Sequence, residues 1–126
     1  YLAPHSTMCY SHHMKQETPI QTAHAQMRKG MLEFCILLAI GRGEAYASEI
    51  LSELKVANLL VVEGTLYPLL SRLKTQQLLD YSWAESNAGP PRKYYTLTPK
   101  GKKVLTELTT TWESLVKSIA TLKKSL

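Results

Sequence analysis

The spacing of the apolar residues changes once along this chain, after Gln77, and this change restricts the fold more than any other feature. Before it, three segments carry apolar residues at helical spacing, starting near Thr22, Ala45 and Glu63. After it, "LLDYSWAES" and "RKYYTLT" are rich in aromatic and β-branched residues, as strands are. The turn signal "NAGPP" separates them, so this part predicts a β-hairpin.

The first two helices are expected to run to about Ile40 and Val56. In the first, one face carries Met27, Met31, Phe34, Cys35 and Leu38, and the second half is apolar nearly all round. A helix of this kind is normally enclosed by other elements. Cys35 is therefore interpreted as a small buried hydrophobe.

A last helix is predicted from Thr98 to the C-terminus, because Thr98 can cap it and Pro99 suits its first position. Its apolar residues alternate steps of three and four, which is the spacing of a coiled-coil seam. The seam contains Leu105, Leu108, Trp112, Leu115, Ile119, Leu122 and Leu126. So small a domain offers the seam no internal partner. We therefore expect a homodimer held by Leu105, Leu108, Leu115, Ile119 and Leu122.

Three helices followed by a hairpin is the order of a winged helix-turn-helix, whose third helix reads the DNA major groove. The expected fold class is mainly α (α+β): a winged helix-turn-helix with a long C-terminal dimerisation helix. Residues 1–18 are assigned to a flexible tail, 19–97 to the DNA-binding domain and 98–126 to the dimerisation helix. Part of the tail is a candidate cloning remnant, with Met14 a candidate natural start.

Composition and charge agree with this fold. The 126 residues suit one globular domain with an appended element, and "FCILLAI" is too short to span a membrane. Without a secretory signal, we expect a cytoplasmic protein with no membrane partner. From Tyr81 onward eight basic side chains stand against three acidic ones, which accounts for the whole net charge of +5. A basic cluster of this kind favours a polyanion as partner, here double-stranded DNA.

Enzyme and metal chemistry are not indicated. Three of the four histidines lie in the tail, so the predicted elements carry no Ser/His/Asp or Cys/His set, and no glycine-rich phosphate loop is present. "CYSHH", with Cys9, His12 and His13, has metal-binding residue types, but no second ligand group follows at a suitable spacing. We expect no catalysis, no metal and no cofactor.

The third helix, "VEGTLYPLLSRLK", buries its leucines and leaves a polar surface that is the main candidate for DNA contact. Its first-turn N–H groups suit a phosphate, and Gly64 allows close backbone approach. Tyr67 either donates to a phosphate or packs on the wing, and Pro68 either lies at the DNA or only sets a bend. Ser71 and Arg72 are candidates for base edges. The full set is Gly64, Thr65, Tyr67, Pro68, Ser71, Arg72 and Lys74, the last as a phosphate contact.

Further candidates flank this helix. Tyr46 and Ser48 begin the second helix and are expected at the DNA backbone. In the wing the candidates are Asn87, Gly89, Arg92 and Lys93, although Arg92 and Lys93 could equally be ordinary solvated charges. Tyr94 and Tyr95 alternate across the strand, so one of them should lie in the core.

Three motifs, "AYASEIL", "EGTLYPLLSRL" and "GPPRKYYTLTPKG", resemble the PadR family of bacterial transcriptional regulators over roughly Met27 to Leu126. The resemblance implies a winged helix domain, a dimer made by the terminal helices and repression of a nearby promoter. The short last helix resembles the compact subgroup, some of whose members bind drugs or other flat hydrophobic effectors at the dimer centre. Ala47 departs from the glycine that this family often has there.

The expected function is a sequence-specific DNA-binding repressor, a homodimer on an inverted repeat, released by a small planar hydrophobic effector. Trp112 occupies a seam position and is the candidate effector-binding residue, since two indole rings near a two-fold axis can sandwich a flat ligand. The alternative for Trp112 is that it only fills the interface. The alternative function is a winged helix dimer that binds protein and not DNA.

Overall fold

The computed structural model describes residues 18–126, and the structural statements below concern these residues. It contains four α-helices and two strands: α1 (Pro19–Gly41), α2 (Ala47–Val56), α3 (Glu63–Thr75), β1 (Leu79–Ser86), β2 (Gly89–Leu97) and α4 (Pro99–Lys123). This order confirms the predicted mainly α winged helix fold. By its internal contacts the chain divides into two units, one ending at Met31 and one covering Leu32–Leu126.

The described part of the first unit is the exposed beginning of α1. The N–H of Thr18 donates to the side chain of Gln21, and the N–H of Gln21 donates to the Thr18 hydroxyl. This reciprocal pair is a capping box, which satisfies two donors that the first helical turn leaves free. The helix begins there because Pro19, at its first position, needs no N–H partner.

The core of the second unit is built from all its elements. Each helix contributes residues three or four apart, because these fall on one side of a helix, and the hairpin closes the core with Leu79 and Tyr95. The fully buried large side chains are Ile36, Leu37, Ile40, Ile50, Leu66, Leu70, Leu73 and Leu79.

The expected enclosure of α1 is only partial. In the second unit Ile36, Leu37 and Ile40 are buried, whereas Leu38 is 44% exposed. Earlier in the helix, Met27 is 68% exposed. The predicted face with Met27 and Leu38 is therefore not the buried one, because a segment that is apolar on nearly all sides does not single out one face by its spacing.

The hairpin is antiparallel, and its pairs include Tyr81 with Tyr95 and Trp83 with Lys93. Its turn is shorter than predicted, because β2 already begins at Gly89 and contains Pro90 and Pro91. Neither proline takes part in the strand pairing, whose register shifts between Ala84 and Ser86, so the missing N–H groups fall at an irregularity of the ladder. Before α2, Ala45 exchanges backbone hydrogen bonds of 3.0 and 2.8 Å with Tyr95.

Of the two adjacent tyrosines, Tyr95 is 5% exposed, while Tyr94 is only partly buried. The expectation that one of them lies in the core is therefore confirmed.

The start of α4 is fastened to the domain. The Thr98 hydroxyl accepts from the N–H of Gly101 at 2.9 Å and donates to the carbonyl of Gln77 at 2.6 Å, which confirms the predicted cap. Gly101 is buried, and a Cβ built there would lie 2.0 Å from the carbonyl oxygen of Leu78. Only glycine permits this approach of the two backbones.

The seam of α4 has two parts. Leu105 and Leu108 are partly buried against the core of their own chain, so the expectation that the seam has no internal partner is wrong for these two. Beyond them every residue from Thr110 to Leu126 is exposed, including Trp112, Leu115, Ile119 and Leu122. An apolar stripe of four turns is thus left uncovered by the described chain.

None of the helices among the described residues has the length and apolar character needed to cross a membrane. Residues 18–126 also hold no group of His, Cys, Asp and Glu arranged for a metal ion. The "CYSHH" segment and the assigned tail up to Glu17 lie outside the described residues.

Candidate nucleic-acid interface

Helix α3 forms despite its glycine and its proline. The N–H groups of Thr65 and Leu66 donate to the Val62 carbonyl at 2.9 and 3.1 Å, and α3 then continues through Pro68 to Thr75. Pro68 removes only the bond that its own N–H would have made to Gly64. Val62 provides no side-chain cap, so the N–H groups of Glu63 and Gly64 are the first-turn donors left without a partner in the helix.

Gly64 is not required by packing inside the chain. A Cβ built there meets nothing within 4 Å, and its φ is not in the left-handed region. A glycine at an open surface position in a helix lowers stability relative to alanine. Packing among the described residues therefore does not require glycine at this position, and the predicted close approach of a partner to the backbone stays a prediction.

The outer side of α3 is made of small residues. With 100° of rotation per residue, the positions opposite the three buried leucines are Gly64, Pro68, Ser71 and Thr75, all exposed. The Thr75 hydroxyl donates to the Ser71 carbonyl at 3.0 Å. Tyr67 and Lys74 lie along one edge of this strip, toward the wing, and Thr65 and Arg72 lie along the other.

Arg72 is engaged within the chain. Its Nη1 atom lies 3.2 Å from Oε1 of Glu33 on α1, and both side chains are at least partly exposed. The sequence had assigned Arg72 to base edges, which requires the guanidinium to leave Glu33 or to share it. Glu33 lies 39 residues earlier in the chain and carried no sequence signal of this pairing.

A cleft of about 360 Å³ lies between the start of α2, the first turns of α3 and the wing. Five residues that the sequence singled out line it together: Tyr46, Ser48, Tyr67, Arg92 and Lys93. Glu63 and Trp83 line it as well. The two wing candidates at the hairpin tip, Asn87 and Gly89, are exposed and do not line this cleft.

Both basic residues of the wing are placed over aromatic rings. The Arg92 guanidinium carbon lies 4.4 Å from the ring centre of Tyr46, and Tyr46 meets Tyr94 edge to face at 5.3 Å. The Lys93 ammonium lies 4.5 Å from the ring centre of Tyr81. Such contacts restrain a cation without removing it from solvent, so the choice between DNA contact and ordinary solvated charge for Arg92 and Lys93 stays a prediction.

Tyr46 and Ser48 begin α2 at the mouth of the cleft. The N–H of Tyr46 donates to the Glu49 side chain at 3.1 Å, which fixes the first turn of α2. Ser48 in that turn is exposed.

The position of Tyr67 is compatible with both of the roles considered for it, and its contact with DNA stays a prediction. It is 48% exposed, so its ring is available at the surface of α3. It also lies close enough to Tyr95 to affect that phenol: burial above all, then the nearby Tyr67 and Tyr81, raise the pKa of Tyr95. Tyr67 thus packs toward the wing and still faces outward.

Sequence reasoning did not assign Tyr81 or Trp83 to this surface. Both lie on one face of β1, Trp83 is 62% exposed, and their rings meet edge to face at 6.4 Å. The signal that could have found them is the alternation in "DYSWAE", which places both aromatic residues on the same side of a strand.

Comparison with known proteins identifies the fold. Residues 36–107 match the Transcriptional regulator PadR-like family. Among curated proteins, an uncharacterised protein of Lysinibacillus sphaericus is 32% identical over 87 residues, covering 67% of this chain and 80% of that protein.

Solved structures agree with that match. A PadR-like transcription factor from Bacteroides fragilis has 54% identity and a TM-score of 0.70 over 80% of this chain and 98% of that chain. A PadR-like regulator from Bacillus cereus has 38% identity and a TM-score of 0.69, over 77% and 95%. A PadR family regulator from Eggerthella lenta has 30% identity and a TM-score of 0.73, over 91% and 96%. This chain, with its winged helix and basic cleft, belongs to the PadR-like family of transcriptional regulators.

Proposed function

We propose that this regulator is a repressor that binds an inverted-repeat operator as a homodimer, with α3 in the major groove. The observation that carries the proposal is the cleft beside α3, where Tyr46, Ser48, Tyr67, Arg92 and Lys93 meet. These side chains offer hydroxyl donors and positive charge, which are the groups that bind phosphate and sugar. They lie next to a helix whose outer strip is free of bulky side chains.

The outer strip of α3 has side chains small enough for the helix to lie deep in the major groove of DNA. Gly64, Pro68 and Ser71 let the backbone come close, and the uncapped first turn offers N–H groups to a phosphate. Ser71, within the outer strip of α3, is a candidate for contact with a base edge. Arg72 and Lys74 flank the strip, as candidates for a base edge and for a phosphate respectively. The strip has no acidic residue and no apolar surface beyond Pro68, so it supports DNA over the alternative of a protein-interaction module.

The exposed part of α4 supports the homodimer. Leu115, Ile119 and Leu122 lie on one side of the helix and are all solvent-exposed in the single chain. Contiguous apolar surface of this kind is a mark of an interface. A two-fold dimer would place its two α3 helices about 10 base pairs apart, one turn of DNA.

The test is selection from a random duplex pool, followed by titration of the selected and a scrambled duplex at several salt concentrations. Log affinity should fall with log salt by about 0.9 per neutralised phosphate. Arg72→Ala should weaken binding to the selected duplex more than to the scrambled one, and Lys117→Ala on α4 is the charge-matched control. An absence of both sequence preference and salt dependence would contradict the proposal.

We further propose that Trp112 forms a wall of an effector site at the dimer centre. The indole is 40% exposed in the single chain and stands among the exposed apolar residues of α4. A symmetric pair of indoles can stack on both sides of a planar ligand, with a cation favoured by the ring faces. Glu113 is the nearest carboxylate in sequence to balance such a cation.

Tryptophan fluorescence tests this site. Trp83 also emits, so the measurement uses a Trp83→Phe background, in which planar dyes should quench Trp112 saturably. Trp112→Ala should abolish dye binding, as measured by the fluorescence anisotropy of the dye. Sedimentation of this variant should still show a dimer. Unchanged dye affinity in Trp112→Ala would mean that Trp112 only fills the interface.

A further inference from the structure

The ring of Tyr81 lies beneath two lysines from different elements. The Lys93 ammonium, from β2, is 4.5 Å from its centre, and the Lys74 ammonium, from the last turn of α3, is 5.7 Å away. Both distances are within the range of a cation–π contact. One aromatic residue thus joins the reading helix to the wing through their positive charges.

The surroundings of Tyr81 hold its ring in place. Trp83 meets it edge to face at 6.4 Å and also lies under Lys93, at 5.3 Å. The buried Tyr95 packs against it at 6.0 Å. The N–H of Tyr81 donates to the carboxylate of Asp80, which also lies 3.8 Å from the Lys74 ammonium. Lys74 is therefore held from two sides, by a ring and by an exposed carboxylate.

We propose that Tyr81 is a positioning residue that sets Lys74 and Lys93 as a pair for two backbone phosphates of DNA. A free lysine must lose side-chain freedom when it binds, and a lysine already held over a ring loses less. The aromatic ring neutralises no charge, so it holds the two ammonium groups without weakening their attraction to phosphate. The Asp80 carboxylate repels phosphate and competes with it for Lys74, whereas the Tyr81 ring holds Lys74 without adding a negative charge.

This inference rests on the proposed DNA-binding function and adds a residue and a mechanism to it. It also explains why an exposed strand carries two large aromatic side chains. Tyr81 and Trp83 are not fully buried by the core, yet they organise the basic edge of the cleft.

Two substitutions at Tyr81 separate the ring from the hydroxyl and from simple packing. Tyr81→Phe keeps the ring under both lysines, and Tyr81→Leu removes it while keeping apolar bulk. For the selected duplex we expect Tyr81→Phe to bind within about 2-fold of the wild type and Tyr81→Leu to bind about 5-fold more weakly. The slope of log affinity against log salt should become shallower by about 1 to 2 in Tyr81→Leu only. Thermal unfolding of each variant checks that the fold is intact.

A measurement on the wild-type protein without DNA keeps the test independent of any folding defect. In NMR spectra the ε-methylene protons of Lys74 and Lys93 should be shifted upfield by the ring current of Tyr81. Exposed Lys117 on α4 is the reference. Unshifted Lys74 and Lys93 protons would overturn the inference, as would an unchanged salt slope in Tyr81→Leu or an equal loss in Tyr81→Phe. If the wild type binds no DNA at all, the proposed function fails instead, and the NMR shifts still report the ring contacts.

Discussion

The guanidinium of Arg72 on α3 forms an ion pair with Glu33 on α1, with 3.2 Å between Nη1 and Oε1. This contact lies at one edge of the outer strip of α3, on the opposite side from Tyr67 and Lys74. It engages a cation that the sequence had assigned to DNA, and it places a carboxylate beside the surface of α3 that we propose binds DNA. The first prediction concerns this pair.

Glu33→Gln should strengthen DNA binding. The substitution frees the guanidinium and removes a negative charge near the duplex, and partly exposed pairs of this kind are worth at most about 1 kcal/mol, or roughly 5-fold. The gain should be larger at low salt, because the pair and the phosphates compete through screened charges. Titration of the selected duplex measures it, with Glu107→Gln on α4 as the control. Equal affinity in the wild type and Glu33→Gln at low salt would show that Arg72 does not reach the DNA.

Gly101→Ala should destabilise the fold strongly. The new Cβ would lie 2.0 Å from the Leu78 carbonyl oxygen, so the start of α4 must move away from the hairpin. Overpacking of this kind typically costs about 1–3 kcal/mol, and occasionally more. Urea unfolding measures the change. Gly30→Ala is the matched control, because its Cβ meets nothing within 4 Å and alanine in a helix gains about 1 kcal/mol. A Gly101→Ala variant as stable as the wild type would contradict the close approach of the two backbones.

Replacing Leu115 and Ile119 together by aspartate should break the dimer. Both side chains are exposed in the single chain, so the variant monomer should keep its fold, whereas charges buried in an apolar seam lack partners. Sedimentation measures the mass. Lys117→Asp with Thr121→Asp, on the opposite side of α4, should remain dimeric. A double variant at Leu115 and Ile119 that still dimerises would show that another surface makes the contact.

Stability should fall at alkaline pH partly through Tyr95. Burial, together with Tyr67 and Tyr81, raises the pKa of this phenol in the folded chain. Above the ordinary tyrosine pKa of about 10, the unfolded state therefore binds fewer protons than the folded state, and stability decreases as pH rises. Tyr95→Phe should show a shallower decrease of the unfolding free energy in urea between about pH 9 and 11. Parallel curves for the two proteins would mean that Tyr95 does not contribute.

Local chemistry made several parts of the molecule predictable. The leucines of α3 repeat at helical spacing, so their burial followed from the sequence before any neighbour was known. The Thr98–Pro99 start of α4 depends on residues within one turn, and the alternation that put one of Tyr94 and Tyr95 inside depends on one strand. The polar candidates on α3 followed in the same way, because Thr65, Ser71, Arg72 and Lys74 remain at its surface once the leucines are placed.

Only the tertiary structure decided which groups meet when the elements pack. An α1 segment that is apolar on nearly all sides cannot indicate its buried face. Leu105 and Leu108 pack against the core because the close contact at Gly101 holds the start of α4 against the domain. Glu33 reaches Arg72, and the Tyr81 ring reaches Lys74 and Lys93, across elements whose relative placement no local spacing encodes. These contacts depend on distance in space between residues of different elements, whereas periodicity reports only the direction of a side chain on its own element.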